Sequence, residues 1–227
     1  STYGTYSMSS GAWTYSLDNS NAAVQALAAS ATMTDSLSFA SADGTAQTVT
    51  ITITGANDAA TFSGDTTGAA TEDVSTAVTG TLTATDTDTG QSSMADKSST
   101  ASTYGTYSMS SGAWTYSLDS TNSAVQALAA GATMTDSLSF ASADGTAQTV
   151  TITITGANDA ATIAGDTTGA ATEDVSTAVT GTLTATDTDS SQSSMADKSS
   201  TASTYGTYSM SSGAWTYSLD NSNAAVQ

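Results

Sequence analysis

The side chains of this sequence that can do chemistry are oxygen donors, and they fall into three short groups: Asn57-Asp58, Glu72-Asp73 and Asp86-x-Asp88. The same groups return as Asn158-Asp159, Glu173-Asp174 and Asp187-x-Asp189. Carboxylates beside amide oxygens suit a hard cation such as Ca2+, which takes about six to eight oxygen ligands in flexible geometry. A conformational reading competes with this one: Asp and Asn favour turns because their side chains bond the nearby backbone, whether or not anything else binds. Two sharper cation motifs fail. Asp86-Thr87-Asp88-Thr89-Gly90 opens like an EF-hand loop, but Lys97 stands at the twelfth position, where a bidentate glutamate belongs. The glycine-rich nonapeptide of calcium-binding β-rolls does not occur.

Composition removes most other chemistry. There is no histidine and no cysteine, and Lys97 and Lys198 are the only basic residues. A nucleophile-base triad, a thiolate metal site and a disulfide framework are therefore excluded. A carboxylate pair for glycoside hydrolysis needs a cleft that a small module scarcely provides, so no enzyme is expected. With 21 acidic residues the net charge is -19, which repels phosphate backbones and anionic lipid. Neither nucleic acid nor membrane insertion is expected, and no apolar run approaches a membrane span. No signal peptide opens the sequence. Trp13, Trp114 and Trp215 could stack on sugar rings, but their place in the apolar alternation favours core packing. Serine and threonine are abundant enough for O-linked glycans to be conceivable, while no Asn-x-Ser/Thr sequon occurs.

The elements that must carry the acidic groups are strands. Apolar residues alternate with polar ones, the two-residue period of a half-buried strand. Trp13, Tyr15 and Leu17 share one face of 12–17, and Ser9-Ser10-Gly11 turns that segment back onto Tyr3–Met8. Met33, Leu37 and Phe39 mark the next strand, closed by the turn Asp43-Gly44. Val49, Ile51 and Ile53 point inward from 45–54, with threonines between them, and Val78, Leu82 and Ala84 repeat the pattern in 77–85. Outward threonines also suit an ice-binding surface, but β-branched hydroxyl residues fit any exposed strand. The one helical candidate is 21–28, with Asn19 or Ser20 as its cap.

Sliding the sequence by 101 residues places Ser1 on Ser102 and then on Ser203. Residues 1–101 and 102–202 differ at eight positions, among them Phe62/Ile163 and Ser30/Gly131, and 203–227 repeat 1–25 unchanged. Six or seven short strands in about 100 residues point to an antiparallel two-sheet sandwich of the immunoglobulin-like kind. A β-solenoid would need a period nearer 20–30 residues, roughly, and none is visible.

In order along the chain, Gly4-Thr5-Tyr6, Gly11-Ala12-Trp13-Thr14-Tyr15-Ser16-Leu17-Asp18, Ala22-Ala23-Val24-Gln25-Ala26-Leu27, Asp43-Gly44-Thr45 and Thr50-Ile51-Thr52-Ile53-Thr54-Gly55-Ala56-Asn57-Asp58-Ala59 resemble the VCBS repeat of large bacterial surface adhesins. Glu72-Asp73 and Thr79-Gly80-Thr81-Leu82-Thr83-Ala84-Thr85-Asp86-Thr87-Asp88 fit the same pattern. The sequence departs from it at Ala59-Ala60, where the family often has proline, and in the shortness of Ser9-Ser10-Gly11. The resemblance implies an all-β chain of tandem cadherin-like modules, exported to the bacterial cell surface and used in adhesion and biofilm. It also implies that the Asn-Asp, Glu-Asp and Asp-x-Asp elements share Ca2+ where modules meet.

The family's phase sets the expected boundaries. One complete module runs from 60 to 160, with the back of another in 1–59 and the front of a third in 161–227. The expected partners are neighbouring copies of the same module, in a continuous array or a self-associating filament, with surface or matrix polysaccharide as a further candidate. Each half-module is expected to present an unpaired sheet edge that another copy or the continuing chain completes. The alternative function is a module that binds carbohydrate or another surface ligand, which a ring of exposed aromatics would favour.

Overall fold

A computed structural model describes residues 1–227. The alternation read above becomes strand almost throughout. The order is β1 (Gly4–Ser9), β2 (Ala12–Leu17), the single helical turn α1 (Ala22–Gln25), β3 (Thr32–Ala40) and β4 (Ala46–Thr54). Next come β5 (Thr61–Gly64), β6 (Thr67–Thr71), β7 (Val78–Thr85), β8 (Lys97–Ala101), β9 (Gly105–Ser110), β10 (Ala113–Leu118), α2 (Ser123–Gln126), β11 (Thr133–Ala141) and β12 (Ala147–Thr155). The last group is β13 (Thr162–Gly165), β14 (Val179–Thr186), β15 (Lys198–Ala202), β16 (Gly206–Ser211) and β17 (Ala214–Leu219).

The chain divides into two compact units, residues 1–70, 75–118 and 135–153 forming the first, and 71–74, 119–134 and 154–227 the second. In the first, a five-stranded sheet of order β5-β7-β10-β9-β8 faces a three-stranded sheet of order β11-β12-β6. Trp114 and Tyr116 from the larger sheet are fully buried, as are Leu138, Phe140, Val150, Ile152 and Ile154 from the smaller. Each such side chain contributes about 1.5–3 kcal/mol by leaving water. Tyr107 and Phe140 meet edge to face at 5.2 Å across the two sheets, which adds directional preference to area burial. The Trp114 indole fits because position 80 is glycine; a Cβ there would lie 2.4 Å from its Cζ2.

The β9–β10 hairpin turns through Ser111-Gly112, with φ of 49° and 83°. Two successive positive φ values give the turn whose twist matches that of the strands it joins, and glycine takes the second position without a Cβ clash. The same first unit holds the β1–β2 and β3–β4 hairpins. The latter pairs without interruption from Thr32↔Thr54 to Ala40↔Ala46.

The second unit contains the sheet β13-β14-β17-β16-β15. It copies the five-stranded sheet of the first unit strand for strand, yet Thr168-Gly169-Ala170-Ala171-Thr172, identical in sequence to β6, forms no strand. In the complete sandwich β6 lies beside β12, with Thr151 N donating to Thr66 O at 3.0 Å. The same five residues become a strand only where a β12 lies alongside.

The helical candidate is shorter than its pattern suggested. Asn21, not Asn19 or Ser20, caps α1, its side chain accepting from Ala23 N at 3.0 Å. The helix stops after one turn because the backbone that follows is committed elsewhere. Gly55 packs against the carbonyls of Leu27 and Ala28 and donates its N–H to Ala31 O.

Candidate functional site

Every acidic group singled out above sits at a strand end or in the connection that leaves it, where alternation stops and backbone N–H groups need side-chain acceptors. In the first unit, Asp88 Oδ2 accepts from Asp58 N at 3.0 Å, and Asp86 Oδ1 accepts from Asp88 N at 2.8 Å. Asn57 Nδ2 donates to Asp58 O at 2.8 Å and to Asp144 Oδ2 at 3.2 Å. Asp144 also takes Ala60 N and the hydroxyls of Ser142 and Thr146, and those two hydroxyls hold its carboxyl far below the usual carboxylate range. Turn chemistry thus accounts for part of this group. It does not account for Asp86 Oδ2 and Asp88 Oδ1, which are buried with no donor.

The second unit brings acids from both copies together. Glu72, only 1 % exposed, accepts from Ala157 N at 3.0 Å and from Gln126 Nε2 at 3.0 Å. Gln126 Nε2 also donates to Asp73 Oδ1 at 3.2 Å. Asp189 Oδ2 accepts from Asp159 N at 3.1 Å and Gln192 Nε2 at 3.1 Å, and Asp187 Oδ1 takes Asp189 N at 2.9 Å. Burial raises the Glu72 carboxyl above its ordinary value, and the charges of Asp159, Asp73 and Asp189 push it the same way against the Ala157 N–H. Asp159 is raised likewise, by burial and then by Asp73, Asp189 and Asp187. Asp159 Oδ2 and Asp189 Oδ1 are buried without any donor. No three of these acids are grouped closely enough to hold a metal ion.

Buried acceptors carrying charge, facing like charges and lacking donors, are costly unless a cation or proton joins them. The residue set is oxygen only, as a hard cation requires. In type, though not in arrangement, the donors suit Ca2+; Glu72, Asp73, Asp159, Asp187 and Asp189 share one patch of like charge.

The grouping differs from what sequence order suggests. Glu72-Asp73 joins Asp159 and the pair Asp187/Asp189 of the following copy. Glu173 and Asp174 are exposed, Asp174 N donating to Asn221 Oδ1 at 3.1 Å. Sequence reasoning passed over Gln126, Gln192 and Asp144. Asp144-Gly145 carried the turn signal already read at Asp43-Gly44, but nothing in its spacing announced that it would hold Asn57 and Ala60.

Tyr107, Trp114, Tyr116 and Phe140 of the complete sandwich belong to its core. Trp114 is 1 % exposed and donates its indole N–H to Asp65 O at 3.0 Å. It offers no face for a sugar ring.

Residues 57–156 match the model of the bacterial cadherin-like domain. That stretch holds the whole two-sheet sandwich just described, from Asn57 to the residue after β12. Among solved structures, the chain is similar to protocadherin gamma B2 extracellular cadherin domains 3–6, at 12 % identity and a TM-score of 0.48, covering 96 % of this chain and 54 % of that one. It is also similar to the protocadherin gamma B4 extracellular domain, at 17 % identity and a TM-score of 0.47, covering 97 % and 36 %. This chain therefore spans about half of the first and about a third of the second. No curated protein matches by sequence. No helix is long and apolar enough to cross a membrane.

Proposed function

We propose that the chain is part of a tandem array of non-catalytic, extracellular adhesive modules of the VCBS kind on a bacterial cell surface, with Ca2+ stiffening the joints between modules. The boundaries that suit this reading are 1–59, 60–160 and 161–227, with 60–160 a complete module. The cadherin-like match to 57–156 supports the extracellular part, because modules of that type work outside cells as structural or adhesive units. The observation that carries the cation is the buried Glu72 carboxylate beside Asp159 and Asp189, two of whose oxygens lack any donor. A cation there would tie residues on either side of the Gly156–Asn158 segment to one centre. The expected partners are further copies of the same module.

Calcium titration by calorimetry, with thermal unfolding in calcium and in chelator, tests the reading. Calcium is expected to raise the unfolding temperature of the native chain. Glu72→Gln should remove most of that rise, and Glu173→Gln, at an exposed carboxylate, should leave it unchanged. Equal unfolding temperatures in calcium and chelator would remove the metal from the proposal and leave the acids as turn formers.

A further inference from the structure

In the complete sandwich one rung of the large sheet is missing. Alternate residues of β7 turn their N–H and C=O groups toward β10: Leu82 N donates to Gly112 O at 2.8 Å, whereas Thr81 faces β5 and accepts from Asp65 N at 2.7 Å. By that alternation the N–H and C=O of Ala84 also face the β10 side. β10 does not reach them, because its hairpin has already turned back at Ser111-Gly112. One step on, the hydroxyl of Ser92 accepts from Asp86 N and donates to Asp86 O, each at 3.0 Å. Ala84, only 3 % exposed, is left between two occupied rungs with neither group bonded. Opposite it lies a cavity of about 530 Å³, lined by buried Leu82, Ala84 and Met94 and by exposed Ser93, Asp96 and Ser111. The second unit repeats the arrangement. Leu183 N donates to Gly213 O, Ser193 holds Asp187, and a cavity of about 590 Å³ is lined by Ala185, Met195 and Asp197.

We propose that this opening is a binding site for one neutral hexopyranose unit of a glycan, present once in each repeat. A buried N–H and C=O without partners are costly, so the pair calls for a group that accepts from one and donates to the other. A further strand cannot supply it, since Gly112 and Ser92 occupy both ends of the track that strand would follow. The occupant must be compact. A vicinal diol meets both needs, one oxygen accepting from Ala84 N while the neighbouring hydroxyl donates to Ala84 O. The C–H face of the ring then rests on Leu82 and Met94, and further hydroxyls reach Ser93 and Asp96. Asp96 accepts from Ser111 N at 2.7 Å through Oδ1, which fixes its carboxylate and keeps Oδ2 for the ligand. The volume lies within the range of about 300–1,000 Å³ usual for small-ligand sites. Asp96 and the net charge of -19 disfavour anionic sugars. No aromatic side chain lines the cavity, so stacking plays no part. One weak site per repeat gives a tandem chain many points of hold on a single glycan. The inference rests on neither the calcium part nor the VCBS part of the proposed function.

The test is an NMR titration of the isotope-labelled 227-residue chain in chelator. The probes are methyl α-D-glucopyranoside, methyl α-D-mannopyranoside and methyl β-D-galactopyranoside, which between them present trans and cis vicinal diols. At least one should shift the Ala84 and Ala185 amide resonances along saturating curves. Ser93→Phe, which plugs the first opening from its rim, should leave only Ala185 responding, and adding Ser194→Phe should silence both. In the single variant the untouched copy is the internal control for folding. Asp96→Asn, which keeps the bond to Ser111 N, should weaken the Ala84 response about tenfold. Amides that stay unmoved by all three glycosides would mean that water alone fills the missing rung, and would refute the proposal. A Ser93→Phe chain in which Ala84 still responds does so too. Propionamide acting as strongly as the glycosides would assign the opening to a peptide side-chain amide and overturn it, as would methyl α-D-glucopyranosiduronate binding as tightly as the neutral sugars.

Discussion

Removing the Asp136 carboxylate should weaken the complete sandwich far more than the same change at Asp35, although Thr103, Tyr104 and Tyr116 bond the one as Thr2, Tyr3 and Tyr15 bond the other. Asp136 accepts from Ser102 Oγ at 2.6 Å, Tyr104 N at 3.0 Å, Tyr116 Oη at 3.0 Å and Thr103 N at 3.3 Å. Tyr116 is wholly buried, so in Asp136→Ala its hydroxyl loses its partner with no water to replace it, and the half-buried Tyr104 N–H fares little better. A buried donor left without a partner costs about 1–3 kcal/mol, which puts the total near 4 kcal/mol. Asp35 accepts from Tyr15 Oη at 2.9 Å, Thr2 N at 3.1 Å and Tyr3 N at 3.1 Å, but Thr2 is exposed and Tyr3 and Tyr15 only half-buried. Water can take over there, and Asp35→Ala should cost about 1 kcal/mol. The difference of about 3 kcal/mol corresponds to roughly a hundredfold in opening equilibrium. Amide hydrogen exchange reads it site by site, in β11–β12 for Asp136→Ala and in β3–β4 for Asp35→Ala. Equal acceleration in the two hairpins would refute the idea that burial, and not the bond pattern, sets the cost. Asp136→Asn, which keeps one acceptor, should recover part of the loss.

Further outcomes follow from the same geometry. Because the folded-state values of Glu72 and Asp159 are raised, the folded protein holds more protons than the unfolded one between the ordinary carboxylate range and those raised values. In chelator, stability should therefore rise as pH falls from neutral into that window, and calcium should abolish the rise; thermal melts across pH check it. Asp136 and Asp35 act in the opposite sense. Both are depressed, Asp35 to about 2, despite burial, by the hydrogen bonds they accept. Their contribution is present above the ordinary value and lost on further acidification, so the stability profile should turn down again in strong acid. Gly80→Ala places a Cβ 2.4 Å from the Trp114 ring and should cost about 1–3 kcal/mol, measured by denaturant unfolding. Gly181→Ala, under the half-buried Trp215, should cost less because that ring can move aside.

The strands with strong alternation were legible in the sequence at nearly their observed bounds. The segments 12–17, 45–54 and 77–85 became β2, β4 and β7, and the Ser10-Gly11 turn followed from its residue types. What escaped were β5, β6 and β8, whose sequences Thr-Phe-Ser-Gly, Thr-Gly-Ala-Ala-Thr and Lys-Ser-Ser-Thr-Ala carry little apolar signal. Their strand character is conferred by neighbours, as β6 and its strandless twin at 168–172 demonstrate. The candidate site was legible in its residue types and not in its grouping. Glu72 lies 85 positions from the Ala157 N–H it receives, and no local pattern encodes which copy's aspartates will surround it.

The placement of β6 beside β12 bears on how the complete sandwich would carry load. Thr151 N meets Thr66 O near the start of both strands, and Glu72 N meets Thr155 O at 2.9 Å just past their ends. The two strands therefore run in the same direction. Tension that enters ahead of residue 66 and leaves beyond residue 155 pulls them in opposite senses along their length. Their hydrogen bonds are then stretched together in shear and do not unzip in turn. The first rupture under pulling should accordingly be one high-force event at this strand pair, with the Glu72 carboxylate anchored on the Ala157 N–H acting as its terminal latch.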